Sequence, residues 1–229
     1  MKPPRFYFSL RSPYSWLAYQ DLMTQYPDVA ERLEWRPFWE PDAESLRMLT
    51  EAGGSFPYVA MSRAKALYIL QDVRREAARR GLAIAWPVDR APCWEVSHLA
   101  YLVARRHGQG PPFIAAAYRA RWVQGRDISD PATIGEIAVE LGLDPAELSG
   151  AVSDPGTRKE GLHALQAVDA DGVFGVPYFL YGRDRYWGID RLPDFVAAVR
   201  AGIESIAAPA GENADPTPGG DQGHAGGCG

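Results

Sequence analysis

The stretch Phe6-Tyr7-Phe8-Ser9-Leu10-Arg11-Ser12-Pro13-Tyr14-Ser15-Trp16-Leu17-Ala18 constrains this chain more than any other. An apolar strand runs straight into Ser12-Pro13 and then into a helical pattern. Serine is a preferred N-cap because its oxygen accepts from an orphan amide of the first turn, and proline at the first helical position forfeits no hydrogen bond. The backbone therefore turns from strand to helix at Ser12. The turn sets a hydroxyl at a helix N-terminus, where the amides and the helix dipole favour negative charge. A hydroxyl in that place can stabilise a thiolate that belongs to another molecule.

The rest of the composition narrows the class. The chain has 229 residues, a formal net charge of −5 with both signs dispersed, and 46% hydrophobic residues, enough for a full core. No basic patch points to nucleic acid, and no run of about 20 apolar residues points to a membrane span. Met1-Lys2-Pro3-Pro4-Arg5 leads directly into the strand without a signal-peptide pattern, so the expected location is cytoplasmic. The two cysteines are Cys93 and Cys228. Cys228 falls in a Gly- and Pro-rich tail, which argues against a structural disulfide. No His/Cys cluster has metal-ligand spacing, and no metal is expected. Lysine occurs only at Lys2, Lys65 and Lys159 in an arginine-rich sequence.

Periodicity gives the order of elements. Residues 5–10 read as a strand, 13–25 as a helix and 33–38 as a second strand. A polar connection over 41–57 leads to a long helix over 58–80, ended by Gly81. An extended piece at 83–87 precedes helical segments near 94–107, 111–123, 131–141, 144–152 and 155–170. Asp130-Pro131 and Asp144-Pro145 are cap-plus-proline starts. After Gly172 come short strands at 178–181 and 185–187 around a Gly182-Arg183-Asp184 turn, then a helix over 190–201. The order β-α-β, helices, β-β-α predicts an α/β thioredoxin-like fold with an all-helical insertion. Residues 1–40 and 170–204 would form the thioredoxin-like part, 41–169 the insertion, and 205–229 a disordered tail.

These residues resemble a known family. The start, from Phe8 to Ala18, and the end, Gly172-Val173-Phe174-Gly175-Val176-Pro177 with Gly188-Ile189-Asp190-Arg191-Leu192, are similar to the 2-hydroxychromene-2-carboxylate isomerase and kappa-class glutathione transferase group, relatives of the disulfide oxidoreductase DsbA. Lys65-Ala66-Leu67-Tyr68, Trp86-Pro87 and Trp122 with Arg126-Asp127-Ile128 fit as well. The likeness covers about residues 5–200. It implies that Ser12 hydrogen-bonds the sulfur of glutathione and that the Val176 backbone, before a cis-proline, pairs with the tripeptide. It also implies that Asp190, with Arg191, binds the γ-glutamyl end and that Lys65 contacts the cofactor. The family often carries an asparagine before the long helix. Here that loop reads Ala52-Gly53-Gly54-Ser55-Phe56, so the implied cofactor is glutathione or another low-molecular-weight thiol. A homodimer is implied too.

Each residue also has a plainer role. Ser12 is an N-cap in any case, worth about 1 kcal/mol. Val176-Pro177 could be an ordinary X-Pro bond, Asp190 a helix cap, Arg191 and Lys65 solvated charges. Cys93 follows Pro92 at an apparent helix start, where a thiolate is favoured, and His98 lies about one turn along. Cys93 is thus either an inert core thiol or a nucleophile that makes an external thiol unnecessary. The aromatics Tyr14, Trp16, Trp35, Trp86, Trp94 and Trp122 read as core.

The expected activity is a thiol-dependent isomerisation of a conjugated α,β-unsaturated carbonyl compound, a small-molecule substrate. Three alternatives stand beside it. They are a cis/trans isomerase of a polyene or carrier-bound substrate using Cys93, a kappa-like glutathione transferase, and a non-catalytic thioredoxin-like binding module.

Overall fold

β1 (Arg5–Phe8) is the axis of the molecule. The computed structural model describes residues 2–57 and 61–207. β1 pairs in parallel with β2 (Glu34–Pro37), from Arg5 opposite Glu34 to Phe8 opposite Pro37. On its other edge it runs antiparallel to β3 (Tyr178–Tyr181), which pairs antiparallel with β4 (Asp184–Trp187). The sheet order is β2-β1-β3-β4. α1 (Pro13–Gln25) and the short α2 (Pro27–Ala30) make the parallel crossover.

Alternation along β1 builds two apolar layers. Phe6 and Phe8 join the large core, where Phe6 stacks on Phe179 at 4.7 Å. Tyr7 faces the other way, into a smaller cluster with Val168, Val173, Tyr178 and Leu180. Its hydroxyl donates to Asp171 Oδ2 at 2.5 Å, and Arg5 pairs with the same carboxylate.

Between β2 and β3 the described elements are helical. They are α3 (Ala43–Glu51), α4 (Arg63–Arg79), α5 (Glu95–Arg106), α6 (Gly110–Tyr118), α7 (Pro131–Glu140), α8 (Pro145–Ser149) and α9 (Pro155–Ala170). α5 is the hub, buried from Glu95 to Ala104. The core does not break at the seam with the sheet: Phe8 meets Tyr101 edge-on at 5.3 Å, and Trp16 stacks on Trp122 at 6.2 Å.

Several boundaries differ from the sequence reading, and three of them bear on the site. α4 starts at Arg63 rather than 58, because the Ser62 side chain accepts the Lys65 amide and caps it there; residues 58–60 lie outside the described region. The helix expected to run to 123 ends at Tyr118 and widens into a π-type turn, Arg119–Val123, with the Gln124 amide reaching back to Arg119 O. α10 (Leu192–Ala207) continues past 204, and Asp190 and Arg191 precede it in a 3-10 turn, Ile189–Arg191. The remainder of the expected tail, 208–229, lies outside the described residues. No described helix is long and apolar enough to cross a membrane.

Candidate active site

The Ser12 junction is held by hydrogen bonds from several directions. Ser12 has extended backbone angles, and its Oγ accepts the Ser15 amide at 3.2 Å, so the cap forms as its residue type predicts. A capping hydroxyl uses a lone pair and keeps its proton free to donate. The Ser12 amide donates to Ser9 O at 3.0 Å, and the Tyr118 hydroxyl donates to the same carbonyl at 3.2 Å. The Ser9 amide donates to Ser15 Oγ at 3.2 Å, and the Leu10 amide to His98 Nε2 at 3.1 Å. Ser12 stays half-buried on this fixed loop.

The second wall comes from the far end of the chain. The β1–β3 ladder ends with Tyr7 opposite Tyr178, which brings the cis Val176–Pro177 peptide alongside the start of the Ser12 loop and leaves the Val176 backbone beyond the ladder. The Gly188 amide donates to Pro177 O at 3.0 Å. Gly188 has φ +100°, a conformation open to glycine, and an added Cβ would lie 2.6 Å from Asp190 Oδ1. That residue therefore both turns the chain out of β4 and leaves room for the Asp190 carboxylate. The turn holding Asp190 and Arg191 packs against α1. Both side chains are exposed, 3.7 Å apart.

Lys65 is not gathered in by any bond. It is exposed on the first turn of α4 and has no side-chain hydrogen bond or ion pair among the described residues. α4 itself is tied to the junction by the Tyr14 hydroxyl, which donates to Asp72 Oδ2 at 2.8 Å. Lys65 stands seven residues before Asp72, about 10 Å along the helix axis.

Cys93 lies on a different wall. A cleft of about 480 Å³ is bounded by Arg11, Glu40, Asp42, Asp89, Cys93 and Glu95, among others. Arg11 is adjacent to Ser12, so this cleft opens beside the junction. A helix start alone would favour a Cys93 thiolate, but its neighbours here act the other way. Burial, then the Glu95 and Asp42 carboxylates, push the Cys93 thiol up from its ordinary value. The residue sits ahead of Trp94, which makes no side-chain cap, and its Sγ faces Glu95 Oε2 at 3.7 Å. Asp42, Cys93 and Glu95 bring three donor atoms within 4.8 Å. Yet Asp42 caps α3 through the Ser45 amide and pairs with Arg158 at 2.9 Å, so its oxygens are already engaged.

The sequence placed His98 about one turn from Cys93 but did not disclose its bond to the Ser12 loop, nor the part played by Trp39. His98 is fully buried. Its Nδ1 must donate to Trp94 O at 2.7 Å and its Nε2 must accept from the Leu10 amide, so one neutral tautomer satisfies both. Burial pushes its pKa down to about 3. Trp39 stacks on the imidazole at 5.5 Å and donates to Glu95 Oε1 at 3.2 Å. Beside them Arg121, 3% exposed, makes two 2.8 Å bonds to Asp89 and lies between the Trp94 and Trp122 rings.

Residues 5–200 match the model of the DSBA-like thioredoxin domain family. A 2-hydroxychromene-2-carboxylate isomerase from Sphingobium xenophagum is 32% identical over 195 residues, 83% of this chain and 94% of the relative. A solved 2-hydroxychromene-2-carboxylate isomerase superposes with a TM-score of 0.71 at 22% identity, covering 89% of this chain and 97% of that one. The cytosolic disulfide reductase DsbM from Pseudomonas aeruginosa, solved with GSH, shares the fold with a TM-score of 0.57 at 17% identity, covering 88% and 98%. The chain belongs to the DSBA-like thioredoxin family. Within that family it groups with the 2-hydroxychromene-2-carboxylate isomerases, and it is an isomerase.

Proposed function

We propose that this protein is a thiol-dependent isomerase of a conjugated α,β-unsaturated carbonyl compound of the 2-hydroxychromene-2-carboxylate type, with glutathione or another low-molecular-weight thiol as cofactor. The observation that carries the reading is Ser12: a hydroxyl with its proton free, on a fixed loop at a helix N-terminus, alongside the Val176–Pro177 edge.

The residues fit a peptide-like thiol. The Ser12 hydroxyl donates to the sulfur, and the first-turn amides of α1 add positive potential, so the charged sulfur is favoured over the neutral one. A free thiol has a pKa of about 8.5. A pKa lower by about two, at about 1.4 kcal/mol for each, makes most of it thiolate at neutral pH. The backbone of Val176 pairs with an extended peptide in the manner of an added strand. Asp190 takes the ammonium of a γ-glutamyl group and Arg191 its carboxylate. The bound thiol supplies reversible addition to the conjugated carbon, which makes the double bond single while it rotates. Lys65 or nearby backbone amides are the candidates to stabilise the developing enolate charge. The reading includes a cytoplasmic homodimer, which a sedimentation-velocity series showing monomer at every concentration would overturn.

The test is product analysis with and without added glutathione. An isomer of unchanged mass, formed only with thiol, supports the reading. A released thiol conjugate makes the protein a transferase. Turnover that needs no thiol returns the nucleophile role to Cys93, and neither binding nor turnover leaves a non-catalytic module.

A further inference from the structure

Around the cleft next to Ser12 almost every charge is matched. Glu40 pairs with Arg11 at 2.6 Å, Asp42 with Arg158 at 2.9 Å and Asp89 with Arg121 at 2.8 Å. Glu95 is the exception. It is fully buried, lines the cleft and has no ion pair among the described residues. A buried carboxyl without a cation is held toward its neutral form.

Its hydrogen bonds say where the proton goes. Oε1 accepts twice, from the Trp39 indole N–H at 3.2 Å and from the Asp42 amide at 2.6 Å. When Glu95 is protonated the proton therefore sits on Oε2. That oxygen faces Cys93 Sγ at 3.7 Å, and Cys93 is half-buried on the cleft wall. When Glu95 is ionised the thiol donates to Oε2 instead. The pair can thus pass a proton between a sealed carboxyl and the open cleft.

We propose that Glu95 and Cys93 form a proton relay, and that the cleft beside Ser12 receives the oxygen-bearing end of the substrate. The proposal rests on the isomerase reading above. Opening a cyclic 2-hydroxy ether to its carbonyl form breaks the ring C–O bond, removes a proton from the hydroxyl and returns one to the former ring oxygen, with no net gain or loss. In the relay, Cys93 S–H gives its proton to the ring oxygen as that bond breaks, and Glu95 Oε2–H reprotonates the sulfur. Glu95 is left ionised and recovers a proton from the substrate hydroxyl along the same path as the carbonyl forms. The features that disfavour Cys93 as a nucleophile suit it as a donor, since burial and, beyond Glu95, the Asp42 carboxylate keep it protonated. Burial, with Asp42 adding, raises the Glu95 pKa from the ordinary carboxylate value against the pull of its hydrogen bonds, toward the range where proton exchange is efficient. The charged or titratable groups facing Glu95 are Asp42 of the α3 cap, Arg158 of α9, and Cys93.

Glu95→Gln separates this from a structural role. Glutamine keeps an oxygen for the Trp39 and Asp42 donors and loses the transferable proton. The variant should fold with a thermal midpoint within a few degrees of the parent and bind glutathione equally well. Its kcat should drop about 100-fold, and the pH profile of kcat should lose one limb. Cys93→Ser, which keeps a proton carrier, should retain more activity than Cys93→Ala. Infrared titration of the parent against Glu95→Gln should show the Glu95 carboxyl protonating above the ordinary carboxylate range. An unimpaired kcat in Glu95→Gln, an unchanged profile, or an ordinary carboxylate titration overturns the relay while leaving the isomerase reading intact. A parent protein without turnover overturns the isomerase reading and the relay with it.

Discussion

Ser12 and Cys93 occupy comparable places in two halves of one molecule, and the chemistry available to each is opposite. Each precedes a helix, and each has a proline beside it. Ser12 has the extended backbone of a true cap and has no carboxylate among its hydrogen-bond partners in the described residues. Cys93 stands in front of a helix that begins without a side-chain cap, with two carboxylates within 4.8 Å. A helix N-terminus offers a fraction of a unit charge within its first turn. Burial and neighbouring acids act over the same distance and outweigh it at Cys93. A sequence pattern locates helix starts; the groups folded against them decide whether a sulfur there is charged.

The two junctions are joined by His98, which takes the Leu10 amide on one side and gives to Trp94 O on the other. Breaking that link has the largest expected effect. His98 is neutral when folded, with its pKa pushed down to about 3 from 6.5. The unfolded chain takes up a proton there first, so stability present above pH 6.5 is lost as pH falls from 6.5 toward 3. The full contribution is on the order of 4–5 kcal/mol. Urea unfolding at pH 7 and pH 4 should show a smaller loss for His98→Gln than for the parent. Equal losses would mean that other groups govern acid unfolding.

Next comes Ser12→Ala. A hydrogen bond to a charged group is worth about 1.5–3 kcal/mol, so thiol-dependent turnover should fall roughly 10- to 100-fold, with the bound thiol's pKa rising. Loss of the cap costs about 1 kcal/mol, read as a thermal midpoint lower by a few degrees. Turnover unchanged at saturating thiol would remove Ser12 from the chemistry. Ser12→Cys, in a Cys228→Ser background, sharpens the contrast further. The introduced thiol should alkylate at pH 7 at least about tenfold faster than Cys93, as site-resolved mass spectrometry would report. Similar rates would erase the distinction between the junctions. The smallest effect belongs to Arg11→Ala. Its pair with Glu40 is more than a third exposed on both sides and solvent screens it. Chemical denaturation should register less than about 1 kcal/mol, counting its stacking on Trp94.

What could be read from the sequence was local. Ser12-Pro13, Asp130-Pro131 and Asp144-Pro145 each start a helix where their residue types require it. The strand and helix order also gave the mixed four-stranded sheet, because short apolar runs and long amphipathic ones differ in period. Contacts between distant positions were hidden. Leu10 and His98 are 88 residues apart, and Trp39 and Glu95 are 56 apart. Nothing in either local segment marks a buried histidine as a scaffold for a loop, or a first-turn glutamate as a carboxyl sealed under an indole. The widened turn at Arg119–Val123, which accompanies the burial of Arg121 and Trp122, has no signature in the apolar pattern either.

The place of β1 between β2 and β3 has a consequence during synthesis. β2 emerges from the ribosome soon after β1, and the two can pair early. The other edge of β1 has no partner until residues 178–181 emerge, after all the helices of the middle have been made. For most of translation the nascent chain therefore carries an aromatic strand with one open edge, the kind of surface that recruits neighbouring chains. The same late segment brings Val176, Pro177 and Asp190. Closure of the open β1 edge and arrival of these residues thus wait on the same late segment.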